Sequence, residues 1–173
     1  MKNIIDTHDN ANNQRILDNL ELDINVLKLM YKNIDPFVLS QLDYKIQNIN
    51  NLSNDETLDK IDRALVAINK FDKLSYSEII TPNKICKQMI STISDNEIIN
   101  AVNSGANILD IASKEGEFTI AMYSRLKQLK INEEIINNSL YSIPTSKIAY
   151  EFTRKVYEIL NLNIDNIATN FTS

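Results

Sequence analysis

The chain has little of what many catalytic and metal-binding sites are built from. Its 173 residues include one cysteine, Cys86, and one histidine, His8. A single cysteine forms no internal disulfide, and one Cys with one His assembles neither a zinc cluster nor a Ser-His-Asp triad in the core. His8 lies in the polar leader MKNIIDTHDN and reads as a solvated side chain rather than a base. That leader lacks the apolar core of a signal peptide, and no apolar run approaches the ~20 residues of a membrane span, so a cytoplasmic chain with no membrane partner is expected. Cations are also in deficit: 18 Lys and Arg against 23 Asp and Glu leave a net charge of -5. Proteins that hold duplex DNA alone usually show a basic face, because phosphate neutralisation supplies much of the affinity. Here the short runs KQLK (Lys127 to Lys130) and Arg154-Lys155 read as solvated helix faces, so any DNA contact must lie mostly outside this chain.

Glycine is the other scarcity. Only Gly105 and Gly116 occur, the first just before and the second within NILDIASKEGEF, Asn107 to Phe118. Glycine tolerates positive φ and admits close backbone approach, so its rarity elsewhere makes these two placements informative. An apolar run closes on Asp110, a short loop follows, and Gly116 opens an amphipathic segment, which reads as strand, loop and helix. The free N–H groups of a helix start beside such a loop suit an anionic or polar ligand, while an ordinary turn with no ligand has the same pattern.

What is present is a globular composition, 43% hydrophobic and 24% charged, without repeats or low-complexity tracts. A helical stripe of Ile16, Leu20, Ile24, Leu27 and Tyr31 spans Asn13 to Asn33. Asp35-Pro36 starts a second helix striped by Leu39, Leu42, Ile46 and Ile49. Ser53 to Glu56 reads as a capping box for a third, with Leu58, Ile61, Leu65 and Ile68 inward. These make residues 1–73 a helical scaffold bundle. After the bridge FDKLSYSEII, Thr81 is expected to cap a helix with Pro82 in its first turn and Ile85, Met89 and Ile93 on its buried face. Ser94 to Glu97 is a further capping box, followed by Ile98, Ile99 and Val102, and Asn103-Ser104-Gly105 turns the chain into a strand, Ile108 to Ile111. Apolar apart from Asp110, that strand suits a parallel sheet covered on both faces. Phe118, Met122, Leu126 and Leu129 stripe the helix that returns to a second strand, Leu140 to Ile143. The last clear helix runs from Ser146 to Leu160 with Ile148, Phe152, Val156 and Leu160 inward, and Asn161 to Ser173 is a candidate start of another strand.

Three features taken together, YSEIITP (Tyr76 to Pro82), the loop after Asp110, and LYSIPTSKIAYEFTRKVYEIL (Leu140 to Leu160), resemble the front end of the S-adenosylmethionine-dependent DNA adenine methyltransferases of bacterial restriction-modification systems. The likeness is closest to the type that fuses methylase and restriction activities in one chain, and it runs from about Phe71 onward. In that family a D-P-A-C-G-S-G-x-F loop wraps the cofactor and the TP element holds its methionine end. The same loop stands here as D-I-A-S-K-E-G-E-F, keeping Asp110, Ala112, Gly116 and Phe118. The resemblance therefore implies an α/β, predominantly helical fold, an N-terminal helical bundle followed by an incomplete Rossmann-like methyltransferase unit over residues 74–173. It implies S-adenosylmethionine as cofactor and Thr81, Pro82, Asp110, Ala112, Gly116 and Phe118 as its contacts. In that role Asp110 would orient loop or ligand donors, Ala112 would leave room, Gly116 would admit close backbone approach, and Thr81 and Pro82 would shape the far wall. Helix capping for Thr81 and core packing for Phe118 are equal alternatives.

The departures bear on activity. Lys114 replaces the family's middle glycine, and Pro144 stands where the family presents a carboxylate to the cofactor ribose. Glu115 and Glu117 are the available substitutes. No Asn-Pro-Pro-Tyr/Phe motif, which grips the flipped adenine in this family, occurs in the chain. No catalytic residue and no metal site is therefore assigned, cofactor binding is expected to be weak or absent in this chain alone, and the chain is expected to be inactive alone. Two readings follow: the N-terminal segment of a DNA adenine methyltransferase, meeting DNA only through the larger assembly with the remainder of the enzyme or a partner subunit, or a non-catalytic interaction or regulatory module docking onto a methylase or other phage-defence protein.

Overall fold

A computed structural model describes residues 11–19, 21, 23–33, 56–69 and 81–170. His8, the helix expected after Asp35-Pro36, Ser53 to Asp55 and the bridge FDKLSYSEII lie outside the described residues. The chain forms two units, Met1–Asn54 and Asp55–Ser173. The described residues hold eight α-helices and one two-stranded parallel sheet, an α/β chain that is predominantly helical.

In the first unit the stripe from Asn13 to Asn33 is two helices rather than one, α1 (Ala11–Asn19) and α2 (Ile24–Asn33). Between them Glu21 has φ 57°, and Asp23 starts the second helix: its Oδ1 accepts from the N–H groups of Asn25 at 2.6 Å and Val26 at 3.3 Å. An Asx cap competing with continuous helix is a local effect that apolar spacing does not report.

The second unit begins with α3 (Lys60–Asn69). Its cap is Asp59, accepting from Ile61 at 2.8 Å and Asp62 at 3.0 Å, so the helix starts later than a box at Ser53 to Glu56 implies. Although the sequence pattern groups this helix with the bundle, it packs against two later helices, α6 (Glu117–Gln128) and α8 (Lys147–Leu160). Next come α4 (Asn83–Ile90) and α5 (Asp95–Asn103). The Ser94 capping box is present with both reciprocal bonds to Glu97, and Ile98 and Val102 are buried.

Strand β1 (Ile108–Ser113) pairs in parallel with β2 (Leu140–Pro144), with Ile108 opposite Leu140 and Asp110 opposite Ser142. The crossover contains α6 and an additional short helix, α7 (Glu133–Ser139), which Asn132 caps through Glu134 N–H at 2.8 Å and which periodicity does not reveal. Helix α8 is capped by Ser146 and buries Phe152, Val156 and Leu160 as expected, while Ile148 lies exposed. A single bridge from Ile167 to Ser142 is all the strand structure after Asn161 among the described residues.

Among the described residues, helices cover one face of the sheet. The Ser142 hydroxyl meets Thr119 of α6 at 3.2 Å and the Tyr157 hydroxyl of α8 at 3.0 Å, so both helices lie on the face to which Ser142 points. Side chains alternate along strands, and the neighbouring pair Leu109–Tyr141 therefore faces away. Leu109 is 49% exposed and Ile111 65%, which corrects the expectation that both faces are buried. Among the described residues β1 pairs only with β2.

Candidate functional site

The loop after β1 is built from its own backbone. Asp110 Oδ1 accepts from Ala112 N–H at 3.3 Å, and Glu117 Oε2 accepts from Glu115 N–H at 3.1 Å. Two buried bonds tie the loop's base down: Ser113 Oγ to Thr153 Oγ1 of α8 at 2.8 Å, and Thr145 N–H to the Ser113 carbonyl at 3.0 Å. Gly116, with φ 86°, is the residue from which α6 departs. A Cβ there would meet the Val156 side chain at 3.1 Å, so the close approach this glycine permits is that of α8. Gly105 also has positive φ, at 83°, but its missing Cβ would meet open space.

A cavity of about 410 Å³ opens over this loop. Thr81, Asp110, Ala112 and Phe118 line it, together with Ser113, Lys114 and Glu117. Four of the six residues singled out from sequence thus share one concave surface, although Thr81 is separated from Asp110 by two helices. Pro82 is exposed and Gly116 buried, and neither is among the residues lining the cavity. Pro82 is also not in the first turn of α4: it stands one residue earlier as the cap, with ψ 140°, and no side chain caps the helix. Thr81 contributes its carbonyl, which accepts from Cys86 Sγ at 3.6 Å. The buried face of α4 is Cys86 and Ile90; Ile85 and Met89, with Ile93 in the turn that follows the helix, are exposed, contrary to expectation.

Glu117 is the site residue that sequence pattern alone undervalues. Its signal is an acid in the first helical turn beside a strand-end Asp, a pattern easily read as dipole compensation. Burial pushes its carboxyl above the ordinary 4.5, with the nearby Asp110 adding to the rise and backbone N–H groups and Lys114 opposing it. Asp110 is likewise raised from 3.8 by burial, against the Ala112 N–H and the Ser113 hydroxyl. The Cys86 thiol is pushed up to about 11 by burial and by those same two carboxylates, leaving it protonated and unreactive near neutral pH. Two desolvated acids around one cavity accept hydrogen bonds and favour a cation, which would restore what burial removed. Pro144, opposite Ser113, is fully buried at the end of β2 and offers neither a carboxylate nor an N–H.

Three of the four cations in the basic runs are paired with carboxylates. Lys127 pairs with Glu133 at 2.7 Å, and Arg154 and Lys155 both pair with Glu158, at 3.0 and 3.1 Å. No group of three or more His, Cys, Asp or Glu among the described residues could hold a metal ion, and no described helix is long and apolar enough to cross a membrane. Compared with models of known families, with characterised proteins and with solved structures, the chain matches none.

Proposed function

We propose that the chain is the cofactor-facing N-terminal segment of a DNA adenine methyltransferase of a restriction-modification system, with a Rossmann-like core completed by further polypeptide. The observation that carries this reading is the cavity over the β1 loop, where Asp110 and Ala112 of β1 meet Thr81 from before α4 and Phe118 of α6. Its volume of about 410 Å³ is of the size that small-molecule sites occupy. S-adenosylmethionine, the donor of an electrophilic methyl group, carries a sulfonium and an ammonium, and desolvated Asp110 and Glu117 suit a cationic ligand. Lys114 on the same wall suits a carboxylate.

Affinity in this chain alone should be low. Pro144 cannot supply a ribose carboxylate, and loss of one charged hydrogen bond costs ~1.5 to 3 kcal/mol, roughly ten- to hundredfold in affinity. Titration of the isotope-labelled chain with S-adenosylmethionine, followed by amide chemical shifts, should move Thr81 and residues 110–118, and Asp110→Ala should abolish the movement. Shifts confined to other regions, or none at saturating ligand, would count against the cofactor assignment. Micromolar binding would instead show the site already complete.

The second reading, a non-catalytic interaction module, draws on the uncovered face at Leu109 and Ile111. Supplying a polypeptide that bears the Asn-Pro-Pro-Tyr/Phe motif separates the two: methylation of adenine that requires both chains supports the enzyme reading.

A further inference from the structure

Helices α4 and α6 pack against each other, and their side chains also line a cavity of about 200 Å³. Its polar lining is Lys87 and Ser91 from one side and Ser124, Arg125 and Gln128 from the other. Each of these side chains carries a donor and none is a carboxylate, in a chain where acids outnumber cations 23 to 18. Some of the donors are already used. Ser91 Oγ donates to the Gln88 carbonyl at 2.7 Å, and Arg125 Nη2 pairs with Asp95, while Arg125 Nε is buried with no acceptor. Others are idle. Ser124 is only 8% exposed, yet its hydroxyl has no partner among the described residues and is not sealed off from solvent, so it opens on the cavity. The side chains of Lys87 and Gln128 likewise have no hydrogen-bond or ion-pair partner among the described residues, and Lys87 acts on the Asp62 carboxylate only through space.

Cations in the last turns of α4 and α6 offset the carbonyl ends of those helices, which accounts for Lys87 and Arg125 taken singly. It does not account for a buried hydroxyl left unbonded beside them. Idle donors next to cations are met by a ligand that is anionic and rich in acceptors, and a tetrahedral oxyanion presents oxygens to an ammonium, a hydroxyl and an amide N–H at once. Volume limits its size: about 200 Å³ lies below the ~300 to 1,000 Å³ of sites that enclose drug-sized ligands. We propose that the cavity between α4 and α6 binds a small oxyanion of the phosphate class, held by Lys87, Ser124 and Gln128, with Arg125 adding charge. This cavity shares no lining residue with the one over the β1 loop, and the proposal does not depend on the function given above.

The test uses the full isotope-labelled chain, titrated with inorganic phosphate at constant ionic strength and with chloride alone as control. The amides of Lys87, Ser91 and residues 124–128 should shift and saturate with phosphate, and chloride should leave them in place. Ser124→Ala removes a hydroxyl that makes no bond and Lys87→Gln an exposed charge, so both should keep the thermal melting profile, and each should weaken phosphate binding by about tenfold. A short duplex DNA offers the same chemistry from a second source. Saturation of these amides at a lower concentration of phosphate groups than the free ion requires would support a nucleic-acid backbone as the ligand, and the reverse order would support the free ion. Shifts that fail to saturate, that chloride reproduces, that lie away from α4 and α6, or that either substitution leaves unweakened would overturn the proposal.

Discussion

Gly116 and Glu117 show how much one backbone position determines here. Gly116 is at φ 86° with Val156 pressed to within 3.1 Å of where a Cβ would lie. Gly116→Ala should therefore cost about 2 to 3 kcal/mol, from left-handed strain plus overpacking. Gly105→Ala, at φ 83° but with open space, should cost only about 1 to 2 kcal/mol. Urea unfolding measures both, and Val156→Ala should recover part of the Gly116→Ala loss in a double-mutant cycle. Additive losses would mean that the contact is not the cause. At Glu117 the sign follows from burial. Its carboxyl is held above 4.5 in the folded chain, so the folded state binds the proton more tightly than the unfolded one. The group costs nothing well below 4.5, and stability falls as pH rises from 4.5 through the raised folded value. Glu117→Gln keeps an acceptor for the Glu115 N–H while removing the charge. It should be at least as stable as the natural chain near neutral pH, with its advantage shrinking in acid. A loss near neutral pH that disappears in acid, where the carboxyl is already uncharged, would show that the charge itself is needed.

At the scale of elements, capping separates what is readable locally from what is not. Ser94 and Glu97 form the box their spacing implies, because both partners lie within one turn. Thr81-Pro82 carries similar letters, yet its side chain makes no cap bond and the helix begins at Asn83. Ser94→Ala should thus cost about 1 kcal/mol in urea unfolding, and Thr81→Ala less than about 0.5 kcal/mol. A comparable cost at Thr81 would mean that it does cap in solution. Packing, not the cap, exposes the outer stripe along α4. Ile85, Met89 and Ile93 do have helical spacing, but spacing identifies a face without saying what lies opposite it. Cys86 and Ile90, between them in sequence, are the residues that meet the core, where α4 packs against α6.

For the molecule as a whole, the proposed function implies that the chain transfers no methyl group by itself. Incubation with labelled S-adenosylmethionine and adenine-containing DNA should leave the DNA unlabelled, and reproducible incorporation would sink the idea. The reason is the absent Asn-Pro-Pro-Tyr/Phe motif, since base flipping requires walls that stack on and hydrogen-bond the extruded adenine. The paired cations of α6 and α8 point the same way, because Lys127, Arg154 and Lys155 each have a carboxylate partner within 3.1 Å. Duplex affinity in the chain alone should be low at physiological salt and is checked by electrophoretic mobility shift.

The sequence by itself determined the order strand, loop, helix around Asp110, the second strand at Leu140, and the helix starts at Ser94 and Ser146. Each of these rests on residues within a few positions of one another, where turn chemistry and side-chain alternation act without help from the rest of the chain. It also marked Thr81, Asp110, Ala112 and Phe118, through a resemblance and not through any contact it could reveal. Only the tertiary structure decided that these four line one cavity, that Gly116 makes room for Val156, and that Glu117 is buried beside Asp110. It decided as well that Leu109 and Ile111 lie open to solvent although both are large apolar residues of a strand. Burial depends on which elements pack across a strand, and α6 and α8 both chose the face of Ser142.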